Sequence, residues 1–267
     1  MSQHKITVGI PFYHKTRFKD LKLSVDSILK QTFKNVTLHL IQNGEVNKKI
    51  LDLINNYDMK YENIFHIKVK EVGLSKALNN SIKMTRTKYY ARMDADDIAL
   101  NNRLKYQYEF MENNQDISIL GSWAIEFLEN KDSQNNFIKR MPSCPNKIIE
   151  YFHYRNPLIH STVMFRLSVF DMIGYYNEKF SSDQDLELWG RAIKSKIGIF
   201  NIQKPLLYYN TRGIHKRRTK LSAIYNQIKV RQSMPASTLK LKLFKFLSIC
   251  FRLMPKRIIK FGYRTLR

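Results

Sequence analysis

The chain has 267 residues, of which 43% are hydrophobic and 12% aromatic, enough for a buried core and too apolar for disorder. Two cysteines, Cys144 and Cys250, exclude a disulfide framework and a zinc knuckle and point to a reducing compartment. The formal net charge is +24 and uneven: from Leu188 to Arg267 there are 20 Lys and Arg and no acid.

The first half alternates strand and helix patterns. "ITVGI" (6–10) is a strand stopped by Pro11. "LKLSVDSILK" puts Leu21, Val25, Ile28 and Leu29 on one helical face. "VTLHLIQ" is a second strand, closed by the turn pair Asn43-Gly44. Asn47 to Tyr57 is helical, "IFHIKV" is a third strand, and "LSKALNNSIKM" is a helix after Gly73. "KYYARM" is a fourth strand. Repeated β-α units predict a mostly parallel sheet flanked by helices, with ligands beyond the carboxyl ends of the strands. From Asn101 to about Leu207 the pattern is α+β: a helix at 103–111, strands at 117–128 and 161–165, a polar loop at 131–136 and a helix start at 183–193. Beyond Tyr209 the chain is basic and less regular. The opening residues lack the apolar core of a signal peptide, and no run of 18 apolar residues occurs. A cytoplasmic protein, or one held on the cytoplasmic face of a membrane, is expected.

Acids are scarce, yet Asp94, Asp96 and Asp97 crowd into "RMDADDI" just after the fourth strand. Crowded carboxylates repel and raise each other's pKa unless a cation neutralises them. Hard oxygen ligands suit Mg²⁺ or Mn²⁺, which often bind one or two carboxylates together with substrate phosphates. On spacing alone the cluster is either such a site or a solvated acidic loop.

The stretch "GLSKALNNSIKMTRTKYYARMDADDI", the opening "ITVGIPFYH", and the later "NPLIHSTVMFR" and "GYYNEKFSSDQDLELWGRA" resemble, in order, segments of glycosyltransferase family 2. The likeness runs from about Ile6 to Tyr209, and is strongest to inverting transferases that build bacterial capsule, O-antigen or lipooligosaccharide. It implies the α/β GT-A fold, with a nucleotide-sugar half (1–98), an acceptor half (99–211) and a basic, amphipathic, partly helical C-terminal extension (212–267).

The resemblance makes Asp94-Ala95-Asp96 the Asp-X-Asp element. Asp96 would hold the Mg²⁺ or Mn²⁺ that bridges the donor diphosphate. Asp94 would contact the ribose or the metal through water, and Asp97 the loop or the donor sugar. Asp185 is the implied general base; Gln184 stands where the family has Glu, and Trp189 follows on the acceptor side. Without the resemblance, Asp183 and Asp185 read as helix caps. Pro11, Phe12 and Tyr13 would line the nucleotide pocket, unless Phe12 is plain core. Gln42 and Asn43 replace the family's uracil-reading acids, and an amide can satisfy the same imide. Lys76 and Arg92 are candidate diphosphate neighbours, His160 faces the acceptor or is structural, and His215 is a candidate extra metal ligand. The implied donor is a UDP-sugar and the acceptor a glycan or lipid-linked glycan. The Gln-X-X-Arg-Trp motif of processive members is absent from the sequence, so transfer of one sugar or a few is expected.

In the tail, Leu243, Phe244, Leu247, Cys250, Phe251 and Met254 project to one side at 100° per residue. Lys245, Arg252, Lys256 and Lys260 lie mostly opposite, and Pro255 interrupts the helix. This fits an anionic membrane surface, or a helix packed on the catalytic domain. Charge alone also fits nucleic acid, but no RNA-recognition signature or Gly-Arg repeat is present, and no nucleic-acid partner is expected. A sugar nucleotidyltransferase usually wants a Gly-rich loop after strand one, where "PFYHKTRF" stands. Gln184 leaves open an inactive scaffold.

Overall fold

A computed structural model describes residues 4–70, 73–128, 136–213 and 221–254. The N-terminal half is the anticipated β-α series: β1 (Ile6–Phe12), α1 (Phe18–Leu29), β2 (Val36–Asn43), α2 (Lys48–Lys60), β3 (Ile64–Val69), α3 (Leu74–Met84) and β4 (Tyr89–Arg92). β3, β2, β1 and β4 are parallel neighbours in that order. The register sets Phe12 beside Gln42 and Gly9 beside Arg92, so the ends of β1, β2 and β4 share one edge.

The second half adds β5 (Ile98–Ala99), α4 (Arg103–Asn113), β6 (Ile117–Phe127), β7 (Phe137–Lys139), α5 (Pro145–Phe152), a 3-10 turn (His160–Thr162), β8 (Met164–Arg166), α6 (Val169–Ile173), α7 (Gln184–Lys194) and β9 (Gly198–Asn210). Here the sheet is mixed. β8 runs antiparallel to β4 and β6, β9 runs parallel to β6, and β5 closes the edge antiparallel to β9. Two further helices follow, α8 (Leu221–Gln232) and α9 (Leu239–Leu253).

The two-residue period of the strands divides the core between the two sheet faces. Tyr89, Ala91, Leu38 and Leu40 pack with Leu21, Val25 and Ile54 on one side. Tyr90 and Ile41 pack with Ala77, Leu78, Phe165 and Trp189 on the other. Burying each Leu, Val, Ile or Phe of this set contributes roughly 1.5–3 kcal/mol. α1 buries Leu21, Ser24, Val25 and Ile28 at helical spacing, and Asn47 caps α2 by accepting from the Ile50 N–H at 3.0 Å.

The sequence differs from the structure at three places. The run at 161–165 begins as a 3-10 turn, because Thr162 Oγ1 donates back to the Ile159 carbonyl (2.8 Å) and accepts from the Ser122 N–H (3.1 Å). The 13-residue β9 escapes sequence reading, since Gln203, Lys204 and Pro205 break its alternation and its pairing with β6 shifts register. The basic end, read as less regular with one amphipathic helix before Pro255, holds two helices. α8 belongs to the core: Val230 and Met234 pack against the cluster containing Trp189, and the buried Arg231 donates to the Phe152 carbonyl at 2.5 Å.

Candidate active site

The acidic run leaves β4 at the carboxyl edge of the parallel strands, where the sequence places it. Asp94 is half-exposed, and its carbonyl accepts from Ser24 Oγ of α1 at 3.0 Å. Asp96 is also half-exposed. Asp97 is fully buried: Oδ1 accepts from the Asn210 N–H at 2.7 Å, and Oδ2 has no partner among the described residues. Burial first, then the charges of Asp94 and Asp96, hold its carboxyl well above the usual range. Of the two expectations for Asp97, loop support or donor contact, its burial fits the first. It latches the acidic loop to the end of β9.

Arg92 is corrected from a diphosphate neighbour to an internal counter-ion. Its side chain is 3% exposed and donates to the Asp94 carboxylate. Nε and NH1 are buried without partners among the described residues. The same guanidinium acts electrostatically on Asp97, Tyr176, His160 and Asp185. Residues 92–97 and 160–185 thus converge around one buried cation.

Asp185 sits in the first turn of α7. Burial raises its pKa; the Leu186 N–H, the Asn156 amide and Arg92 pull the other way. Asn156 Nδ2 donates to Asp185 Oδ2 at 2.6 Å. Neighbouring Asp183 takes a left-handed backbone (φ 58°) and accepts from Gln227 of α8 at 2.7 Å. Burial, then the charge of Asp185, pushes Asp183 up to about 6. Gln184 is buried, with Oε1 unpartnered among the described residues. His160 Nε2 shares a 2.7 Å hydrogen bond with the Tyr176 hydroxyl, and burial followed by the Arg92 charge keeps its ring neutral. Trp189 is corrected to core: it is fully buried, stacked 5.8 Å from Phe165.

On the nucleotide side, Pro11 is buried in β1 and Tyr13 stands exposed beyond its end. Phe12 is core, with no exposed surface. The Gln42 amide is closed at both ends, since Oε1 meets His66 Nε2 at 2.9 Å and Nε2 donates to the Gly44 carbonyl at 3.0 Å. It shapes the turn, where Gly44 has φ 81°, rather than presenting an open amide. Asn43 Oδ1 accepts from the Gly73 N–H at 2.8 Å and ties β2 to the start of α3. Lys76 is half-buried in the first turn of α3. His215 lies outside the described residues.

Sequence reading missed Tyr176, Asn156 and a clamp beneath the site. Arg103 NH2 donates to the Arg92 carbonyl (2.8 Å) and Nε to Gln107 Oε1 (3.1 Å); Gln107 Nε2 donates to the Thr162 carbonyl (2.7 Å). Arg103 and Gln107 are fully buried and one helical turn apart, on the otherwise weakly patterned α4. Two polar residues at i, i+4 were the only signal.

Among the described residues no group of three or more His, Cys, Asp or Glu is placed to hold a metal ion. Two hard, half-exposed carboxylates at an open edge still fit Mg²⁺ or Mn²⁺, with phosphate oxygens and water completing the shell.

The mixed sheet thus carries an acidic loop at the carboxyl edge of its parallel strands. The model of "Glycosyl transferase family 2" matches residues 7–174, so the chain belongs to that family and is a glycosyltransferase. It is 33% identical over 211 residues to the O-antigen biosynthesis glycosyltransferase WbnJ of Escherichia coli, covering 77% of this chain and 79% of that one. It is 29% identical to the UDP-Gal:alpha-D-GlcNAc-diphosphoundecaprenol beta-1,3-galactosyltransferase of Escherichia coli, over 85% and 82% of the two chains. The structure of S. aureus TarS 1-349 in complex with UDP-GlcNAc superposes with a TM-score of 0.69 at 17% identity, covering 98% of this chain and 76% of that one. The GT-A-like fold is shared.

Proposed function

We propose that the protein is an inverting, metal-dependent transferase that moves one sugar from a UDP-sugar to a hydroxyl of a glycan or lipid-linked glycan in bacterial surface polysaccharide synthesis. The observation that carries this reading is the convergence of the Asp94–Asp96 loop and Asp185 around Arg92. Relatives that act on UDP-Gal and a diphosphoundecaprenol acceptor, or in O-antigen synthesis, support the substrate class.

Asp96, with Asp94, would hold Mg²⁺ or Mn²⁺, which when bound would supply positive charge to stabilise the departing diphosphate. Arg92 fixes the Asp94 carboxylate, so that part of the charge is set before substrate arrives. Asp185, its basicity raised by burial and its oxygen aimed by Asn156, takes the acceptor hydroxyl proton. As the acceptor oxygen bonds to the anomeric carbon, the bond from that carbon to the diphosphate oxygen breaks. The electron pair leaves with UDP, and the centre inverts. Asp183, near 6, is a second carboxyl close enough to oppose a charge on Asp185. The basic C-terminal segment holds the enzyme at the cytoplasmic face of the membrane, where a lipid-linked acceptor is presented.

Titrating UDP into the protein with and without Mn²⁺ tests the donor site. Metal-dependent binding that Asp96→Ala abolishes is expected; unchanged affinity in that variant overturns the site. Asp185→Asn is expected to bind UDP normally while turnover falls about 10²–10⁴-fold; near-normal turnover removes Asp185 as base.

A further inference from the structure

α9 has two apolar faces. The inner one seats on α5 and the turn after it: the Phe244 ring meets Tyr154 at 5.2 Å, and Ser248 Oγ donates to the His153 carbonyl at 3.4 Å. Lys245 Nζ donates to the Met234 carbonyl at 2.8 Å, and Lys240 pairs with Glu150 at 2.7 Å. The sequence projection put Phe244 on the same side as Leu243 and Leu247; the structure separates them, with Phe244 turned inward. The outward face is instead Leu239, Leu243, Phe246, Leu247 and Met254, exposed by 83, 51, 62, 52 and 42%. At 100° per residue these five fall within an arc of about 100°. Lys242 lies just outside one border of the arc and Lys240 just outside the other.

The geometry points to this stripe as a docking surface for an anionic lipid bilayer, with α9 lying in the interface plane. A 15-residue helix is about 22 Å long, and no described helix is long and apolar enough to cross a membrane. Charge selects the occupant. The stripe is bordered by lysines, the sequence continues with Lys256, Arg257, Lys260, Arg264 and Arg267, and no acid follows Glu187. Anionic headgroups complement that field. A second copy of the same helix would meet it with like charge. The inner face carries the helix on the acceptor side of the molecule, since α5 leads within four residues to Asn156, the partner of Asp185. The use of this surface rests on the lipid-linked acceptor reading; the bilayer contact does not.

The test is co-sedimentation of the full chain with vesicles of phosphatidylcholine alone or with phosphatidylglycerol added. Binding to the anionic vesicles only, weakened by salt, is expected. Leu243→Glu with Phe246→Glu should lower partitioning at least tenfold. Met59→Glu with Met84→Glu, an equal charge change at exposed sites on α2 and α3, should leave it unchanged. Retained UDP affinity and thermal melting in both double variants show that they fold. Equal loss in the two variants, or none in the first, overturns the assignment. So does a dimer that the α9 variant splits while the wild type ignores vesicles. Anionic-vesicle binding by a chain that binds no UDP supports the stripe and refutes the donor reading instead.

Discussion

The guanidinium of Arg92 stands between the carboxylates assigned to donor and acceptor, and its depth decides what it does. An exposed arginine could touch a diphosphate; one that is 3% exposed and paired to Asp94 orients the carboxylate instead. Arg92→Met is expected to weaken metal-dependent UDP binding and cut turnover at least a hundredfold. Because Asp94 retains solvent, the melting temperature should fall less than for a fully buried pair. Arg92→Lys should recover only a small part of the activity, since an ammonium lacks the planar fork. Calorimetry and melts on the two variants check this. Asn156→Ala removes a hydrogen bond that favours charged Asp185. The proton is then held more tightly, so the acidic limb of the kcat/KM profile should move to higher pH. At this scale the sequence was legible where a residue type was rare: three acids in a basic chain stand out. It was not legible where depth matters. Phe12, Gln42, Arg92, Asp97 and Trp189 are all placed near the site by the family resemblance, and only packing shows that they support it from within.

β2 and β9 differ in what their sequences announce. β2 is a β-rich run closed by a turn pair and was readable, yet it buries a polar side chain, His39, whose Nδ1 meets Ser81 Oγ of α3 at 2.9 Å. Burial pushes this imidazole down to about 4. The unfolded chain binds the proton near pH 6.5 and the native one only near pH 4. Stability is therefore complete above 6.5 and is lost as the pH falls toward 4, by on the order of 3 kcal/mol. His39→Gln should flatten that stretch of the melting-temperature profile relative to wild type. β9 was unreadable because its order comes from β6 rather than from its own pattern. Gly198 shows the closeness of the fit: a Cβ there would lie 2.0 Å from the Asp116 carbonyl oxygen. Gly198→Ala should destabilise by about 1–3 kcal/mol in denaturant unfolding.

Over the whole molecule, the charge gradient suggested a single basic appendage after the catalytic domain, but the structure divides that region. α8 contributes Val230, Met234 and Arg231 to the interior, whereas α9 leaves an apolar stripe outside. Charge counting cannot separate them, because a buried arginine and a surface lysine weigh the same. Truncation after Met234 should therefore preserve the melting temperature within a few degrees and remove vesicle binding. Truncation after Gly213 should unfold the protein at much lower temperature. Circular dichroism melts of the two shortened chains distinguish these outcomes.

The buried Arg103–Gln107 pair spans the backbone of Arg92 and that of Thr162. The backbones at residues 92 and 162 are thus held to a common ruler on α4. Chimeras between relatives would ordinarily be cut between the two halves, near residue 98. Such hybrids inherit the acidic loop from one parent and the ruler from the other, so sugar and acceptor preferences should not recombine freely. Carrying residues 92–107 and 160–162 together as one cassette should restore the exchange.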